Sequence, residues 1–297
     1  MKLLTLFSLI SSLLFVGCGS QPEENADASV KKFIVAMEPD KDPDAMLADR
    51  DALQTYLSGS LNRPVEAIVP MSSAVIYEGL KNGSIDVAYL SATAAAKLVA
   101  TDTVDILLAE LIDGKPNYQS YWITLKDAPY QNVSELKGKP IAFSSRTSTS
   151  GFLIPVWDLY KQKLIDIETG PAGFFGEGNV NYGVGYVSAA ERVLDGSVEA
   201  AAVSYYVLDK DKHLSADQRA RMRALDTQGP VPSHVLVVRE SIAPADREKL
   251  KAAFLMMNED AVELRDRIFG ALLAPADAES HLAVTREALE VTSQMTF

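Results

Sequence analysis

The sequence predicts an α/β protein made of two similar lobes, each with a mixed, mainly parallel sheet and flanking helices. An apolar strand at 32–37, a helical pattern at 43–57 and a second apolar strand at 65–69 follow one another at the spacing of a βαβ unit, which implies a parallel sheet. The run GSIDVAYLS at 83–91 is also matched by GSVEAAAVS at 196–204, and each copy follows a helical pattern. Equivalent helix–strand units this far apart indicate two lobes of the same design.

Two extended stretches are the candidate hinges between these lobes. One is YQSYWITL at 118–125, and the other is QGPVP at 228–232, which leads into a strand at 235–238. A few extended residues can absorb the dihedral changes of a hinge motion. The predicted units are a signal peptide at 1–17, an acidic tether at 18–31, a discontinuous first lobe at 32–119 and 229–297, and a second lobe at 120–228.

The amino-terminal segment predicts export. Lys2 precedes an apolar run at 3–16, which is too short to span a bilayer and has the size of a signal-peptide core. The run ends in FVGCG, and Cys18 is the only cysteine of the chain, so an intramolecular disulfide is excluded. This segment resembles the lipobox of bacterial lipoproteins, which implies cleavage before Cys18 and its lipidation. The alternative is an ordinary cleaved signal with an incidental cysteine.

Composition argues against nucleic acid as a partner. The 297 residues carry a net charge of −12, and a nucleic-acid-binding protein would need a basic face. Net charge does not exclude a small anionic ligand, because local dipoles set the potential inside a cleft.

The most informative stretch is SSRTSTSGFLIP at 144–155, between a predicted strand and a predicted helix. The amino end of a helix offers unpaired N–H groups and a partial positive charge, which suit a small anion. Hydroxyl donors without an adjacent base favour holding an oxyanion over attacking a substrate. A helix cap alone needs only one of these hydroxyls, so capping explains part of the run.

Catalysis and metal binding find less support. No Gly-x-Ser-x-Gly motif is present, and His213, His234 and His281 stand in no recognisable triad setting. Metal-ligand spacings, a complete dinucleotide fingerprint and a P-loop are absent from the sequence. We therefore expect no enzymatic activity, no cofactor and no metal. The Gly-rich stretch at 170–185 either overhangs the cleft or forms a long surface loop.

Three runs resemble one family. STSGFLIP at 148–155 resembles the signature of phosphate/phosphite/phosphonate-binding proteins of ABC transporters, and VSELKGK at 133–139 and the run at 83–91 resemble further family segments. The resemblance implies a periplasmic binding protein type 2 fold and a solute-binding lipoprotein that closes its lobes on a small oxyanion. In that family the Ser-Thr-Ser hydroxyls and adjoining amides hold the ligand oxygens, roles that fall on Ser148, Thr149 and Ser150.

The remaining candidates come from both predicted lobes. They are Gly151, Ser91, Tyr89, Ser73, Ser204, Tyr186 and Tyr121. We expect Ser91 and Ser204 to face each other across the cleft, because ligands of open α/β sheets lie beyond the carboxyl ends of the strands. The family often has a histidine at Tyr186, an acidic residue near Ser204 and a tyrosine near Ser73. These departures disfavour an aminoalkyl phosphonate.

The predicted function is that of an extracytoplasmic solute-binding lipoprotein of an ABC importer. Its expected partners are a small oxyanion, a membrane permease and the membrane that holds its lipid anchor, with no nucleic acid and a monomeric state. A ligand-sensing lipoprotein that serves a receptor or sensor kinase would share the fold. A lipid-anchored serine hydrolase is the third alternative, and it would need turnover through Ser148 or Ser150.

Overall fold

The computed structural model describes residues 30–38, 43–210 and 214–297, with no side-chain detail for 43–45. The predicted signal peptide, Cys18, most of the tether and His213 lie outside the described residues. Within them the strands are β1 Phe33–Ala36, β2 Val65–Ile68, β3 Val87–Leu90, β4 Val104–Leu111, β5 Asn117–Leu125, β6 Ile141–Phe143, β7 Val180–Tyr182, β8 Ala200–Ser204, β9 Met222–Pro232, β10 Val235–Arg239 and β11 Leu272–Ala274.

Helices cover both sheets. They are α1 Pro43–Leu61, α2 Ser73–Asn82, α3 Ala92–Val99, α4 Ile154–Lys161, α5 Gly170–Phe175, α6 Tyr186–Leu194, α7 Tyr206–Asp209, α8 Ala216–Ala220, α9 Pro244–Asp260, α10 Val262–Ile268 and α11 Ala278–Thr292. A 3₁₀ turn at Val133–Leu136 and a π-helical turn at Thr149–Leu153 complete the set. In the part of the chain that the structure describes, no helix is long and apolar enough to cross a membrane.

The two sheets confirm the predicted α/β class with two mixed sheets. The first lobe is built on the order β11-β4-β10-β3-β1-β2, in which β2, β1 and β3 are parallel and β10 is antiparallel to β3. The second lobe is built on the order β7-β6-β8-β5-β9, in which β7, β6 and β8 are parallel and β5 is antiparallel to β8. Each sheet thus has three adjacent parallel strands beside one reversed strand, and the remaining pairings, β10 with β4, β4 with β11 and β5 with β9, are antiparallel.

The sequence repeat falls on equivalent strands. β3 and β8 are the third parallel strand of their sheets, and each lies beside the reversed strand. Gly83 (φ 82°) and Gly196 (φ 79°) both adopt the left-handed conformation as the preceding helix ends, which a side chain would disfavour. The shared Gly-Ser pair therefore encodes the same helix-to-strand turn twice.

The chain passes between the sheets at 112–116 and at 233–234, outside the two stretches predicted as hinges. Residues 117–119 and 229–232, which the sequence analysis assigned to the first lobe, belong to the second sheet, because Asn117 pairs with Pro232. Both passages meet at Ser233, whose hydroxyl donates to the backbone oxygens of Glu110 (2.7 Å) and Pro116 (3.1 Å).

Helix α11 also departs from the predicted division, which placed all of 229–297 in the first lobe. Leu282 belongs to a core cluster of the first lobe, whereas Ala288 packs with Ile154 and Trp157, and Met295 lies in the core of the second lobe. Helix α11 and the residues after it therefore pack against both lobes, which the predicted division did not show.

Residues 170–185 form neither an overhanging loop nor a plain surface loop. They contain α5 and β7, and β7 is the edge strand of the second sheet, parallel to β6. The glycines of this stretch mark the ends of two short elements. Among the carboxy-terminal helices, α9 packs on the core of the first lobe through Leu250, Phe254 and Met257, which are fully buried.

Candidate ligand-binding site

The candidate site lies where the carboxyl ends of the parallel strands of both lobes approach each other. Ser91 caps α3 directly after β3, and Ser148 caps the π-helical turn that follows β6. The two helix starts touch, because Thr93 on α3 contacts Thr149 on the π-helical turn. This position agrees with the rule that ligands of α/β sheets lie beyond the strand ends.

The hydroxyl-rich loop is shaped by local hydrogen bonds. Gly151 donates its N–H to the side-chain oxygen of Ser148 at 2.9 Å. A Cβ atom on Gly151 would lie 2.5 Å from the Cβ and Oγ of Ser144, and Ser144 is itself fixed by donating to the backbone oxygen of Ala202 at 2.6 Å. Only glycine fits here, so this residue lets the turn pack tightly against β8. The N–H groups of Thr149 and Ser150 lie at the start of the π-helical turn, so the turn itself provides no carbonyl oxygen to accept their hydrogen bonds.

Tyr186 joins two of the predicted ligand residues. Its hydroxyl lies 2.7 Å from the Oγ of Ser150 and 3.2 Å from the Oγ of Ser148. Burial raises the pKa of the nearby Tyr118 well above its usual value, and Tyr186 acts in the same direction. Tyr118 therefore keeps its proton at physiological pH. This side of the site consists of neutral hydroxyl groups at the amino end of a helix.

Thr149 has a different place from its two neighbours. Its Oγ1 accepts the backbone N–H of Thr93 at 3.2 Å and lies 2.8 Å from the Oγ1 of Thr93. Both threonines are buried. The side chain of Thr149 thus joins the two lobes, whereas those of Ser148 and Ser150 contact Tyr186.

The first lobe contributes a carboxyl group that the sequence analysis did not single out. Glu38 follows β1, and Ser73 at the start of α2 donates its hydroxyl to Glu38 Oε1 at 3.2 Å. Loss of hydration on burial raises the pKa of Glu38 to about 7. Its position directly after a buried parallel strand was the available signal, and the same rule had selected Ser91.

Tyr89 belongs to a second polar group of the first lobe. Its hydroxyl donates to the buried carboxylate of Glu110, and its ring stacks on His234 with the centroids 5.2 Å apart. His234 Nδ1 lies 3.8 Å from Glu110 Oε2. Glu110 and His234 were missed because they come together only where the chain passes between the sheets.

Three predicted site residues have surroundings that the sequence did not reveal. Ser204 does not face Ser91 across an open cleft, because its side chain is fully buried beneath the π-helical turn, and its hydroxyl has no hydrogen-bond partner among the described residues. The hydroxyl of Tyr121 donates to Asp209 at 2.8 Å and is not part of the hydroxyl cluster of Ser148, Ser150 and Tyr186. The Oγ of Ser91 accepts the N–H of Ala94 at 3.4 Å, as an ordinary helix cap.

The two walls of the site differ, and only the wall of the second lobe suits anion binding by neutral donors. The second lobe supplies hydroxyls and the start of a helix, and the first lobe supplies carboxyl groups. No cluster of three potential metal ligands occurs within residues 30–38, 43–210 and 214–297.

A family profile described as "ABC transporter, phosphonate, periplasmic substrate-binding protein" matches residues 35–280. The chain belongs to this family. It is 25% identical to the phosphonates-binding periplasmic protein of Escherichia coli over 64% of its length, although the match spans only 56% of that relative. It is 23% identical to the phosphate-import protein PhnD of Mycolicibacterium smegmatis over 85% of this chain and 81% of the relative.

Solved structures agree on the fold. PhnD1 from Prochlorococcus marinus, solved in complex with methylphosphonate, superposes with a TM-score of 0.73 at 15% identity. The match covers 89% of this chain and 99% of that one. At this identity the similarity establishes the two-lobed architecture of a periplasmic binding protein.

Proposed function

We propose that this chain is the solute-binding subunit of an ABC importer and that it binds a small oxyanion of the phosphonate, phosphite or phosphate class between its lobes. The observation that carries the proposal is the cluster of three hydroxyls, from Ser148, Ser150 and Tyr186, at the start of a helix. Its relatives are named for phosphonate and phosphate, which fits the same chemistry.

Neutral donors can hold such a ligand strongly. A hydrogen bond to a charged group contributes about 1.5–3 kcal/mol, and the helix start adds a favourable partial charge. A binding protein must also release its ligand to the permease, which is easier when no lysine or arginine pairs with the anion. The same arrangement lacks the base that a serine nucleophile needs, so we propose binding without turnover.

Calorimetry and thermal denaturation with methylphosphonate, phosphite and phosphate test the proposal. At a hundredfold excess over the dissociation constant, a ligand should stabilise the protein by about 2.7 kcal/mol. Replacing both Ser148 and Ser150 by alanine should weaken binding by about 10²–10⁴-fold, since two charge-assisted hydrogen bonds are lost. Ser84→Ala, on an exposed turn after α2, is the matched control. The proposal fails if none of the three anions changes the melting temperature.

The cellular setting belongs to the same proposal. The protein acts outside the cytoplasm, is anchored by a lipid on Cys18 and delivers its ligand as a monomer to an ABC permease. Cys18→Ser should move the protein from the membrane fraction to the soluble fraction. Loss of oxyanion uptake on gene deletion would separate transport from the alternative role as a sensor, and a null result with ester probes would exclude hydrolysis.

A further inference from the structure

We propose that Glu38 is a specificity-determining residue that accepts a hydrogen bond from a proton-bearing group of the bound ligand. The cleft would then take oxyanions that carry a P–OH or an ammonium group and discriminate against oxyanions of the same shape without a proton. This inference rests on the proposed function and narrows its ligand class.

The backbone places Glu38 at the edge of the sheet that meets the second lobe. Strand β1 pairs with β3 in the register Val35 to Val87 and Ala36 to Ala88. Two residues further along, Glu38 is level with the end of β3 and next to Ser91, which starts α3. Because α3 touches the π-helical turn through Thr93, Glu38 lies on the side of the first lobe that faces the hydroxyl loop.

The carboxyl group of Glu38 has no cationic partner among the described residues. Its side-chain hydrogen bond there comes from the exposed hydroxyl of Ser73, and no described lysine or arginine forms an ion pair with it. The titratable groups around it are Tyr89 on β3 and, beyond Tyr89, Glu110 on β4 and His234 between the sheets. A carboxyl group held in such surroundings has unused capacity to accept.

The opposite wall cannot neutralise this charge. Arg146 is the one cation of the loop at 144–151, and its guanidinium stacks over the ring of Tyr182 at 4.1 Å from the centroid. An anionic ligand held by the hydroxyls therefore faces a carboxylate with no cation to neutralise it. A proton between the two anionic groups turns this repulsion into a charge-assisted hydrogen bond.

Methylphosphonate and methanesulfonate form a matched pair of probes, because they have nearly the same shape but only the phosphonate binds a proton near neutral pH. Measured by calorimetry at mildly alkaline pH, where Glu38 is ionised, methylphosphonate should bind the wild-type protein at least about tenfold more tightly. Glu38→Gln should remove most of this preference by strengthening methanesulfonate binding. Glu78→Gln, an exposed carboxylate on α2, is the matched control and should keep the preference.

A second comparison identifies the donor. If 2-aminoethylphosphonate binds more tightly than ethylphosphonate, and Glu38→Gln abolishes the difference, the ammonium group is the donor. If the two bind equally, and the preference over methanesulfonate is lost in Glu38→Gln, the P–OH group is the donor.

The inference is overturned if wild-type protein binds methylphosphonate and methanesulfonate equally, or if Glu38→Gln keeps the wild-type preference with an unchanged melting temperature. Either result leaves the proposed function intact. If no phosphorus oxyanion binds at all, the proposed function itself has failed.

Discussion

Replacing Thr149 by valine separates the role implied by family resemblance from the role seen in the structure. The resemblance assigns the Thr149 hydroxyl to the ligand, whereas the structure gives both of its hydrogen bonds to Thr93 in the other lobe. We therefore expect Thr149→Val to destabilise the ligand-free protein and to weaken ligand binding less than Ser148→Ala does.

The magnitude follows from the groups left behind. Valine keeps the volume of threonine but leaves the buried N–H of Thr93 without its acceptor, which costs about 1–3 kcal/mol. For a chain of this size, each kcal/mol lowers the melting temperature by about 2–4 °C, so the expected decrease is roughly 2–12 °C. The effect needs no ligand, because both partners belong to the protein.

Thermal denaturation without ligand and calorimetry with methylphosphonate are the two assays. Thr147→Val, an exposed position of the same loop, is the control and should change neither quantity. In a double-mutant cycle, Thr93→Val and Thr149→Val should show a coupling of about 1 kcal/mol, since they share the hydroxyl–hydroxyl contact. The reasoning is refuted if Thr149→Val leaves the ligand-free melting temperature unchanged but reduces affinity as much as Ser148→Ala.

Three further predictions concern the same region. Gly151→Ala should lower the free energy of unfolding by more than about 2 kcal/mol in urea titrations, because its Cβ would lie 2.5 Å from Ser144, which cannot move away from β8. The stability of the ligand-free protein should fall as pH rises from about 4.5 to about 7, because the Glu38 carboxyl keeps its proton to higher pH in the folded state than in the unfolded state. In Glu38→Gln, the urea midpoint should fall less over the same pH range, because this carboxyl is absent. Phe297→Ala should lower the free energy of unfolding by about 1 kcal/mol, because the Phe297 ring packs 5.2 Å from that of Phe152 behind the hydroxyl loop; an unchanged urea midpoint would contradict this.

Local sequence signals predicted most of the fold. Apolar strands, helical spacing and glycine turns act over about ten residues, so they located β1, α1, β2 and the repeated helix–strand units. They failed for residues 170–185, where β7 is a three-residue edge strand whose identity depends on pairing with β6. They also failed for α11, because an apolar helix face does not reveal whether it packs against one lobe or against both.

The candidate site was predictable only in its local part. Ser148, Ser150 and their cap lie within one run of sequence, and the structure brings both hydroxyls to Tyr186. The contact between Thr93 and Thr149 joins residues 56 positions apart, so no local pattern encodes it. Such contacts depend on how the lobes are placed by the two passages of the chain.

The topology explains why the two walls of the cleft differ although the lobes are built alike. Strands β1 and β6 hold equivalent places, each next to the repeated strand β3 or β8. The residues that follow them are therefore counterparts across the cleft: Glu38 after β1, and the hydroxyl loop after β6. The first lobe thus offers a hydrogen-bond acceptor, Glu38, and the second lobe offers hydrogen-bond donors, the hydroxyls of the loop. A ligand with both an oxyanion and a proton to donate satisfies both walls, whereas a fully ionised oxyanion satisfies only one.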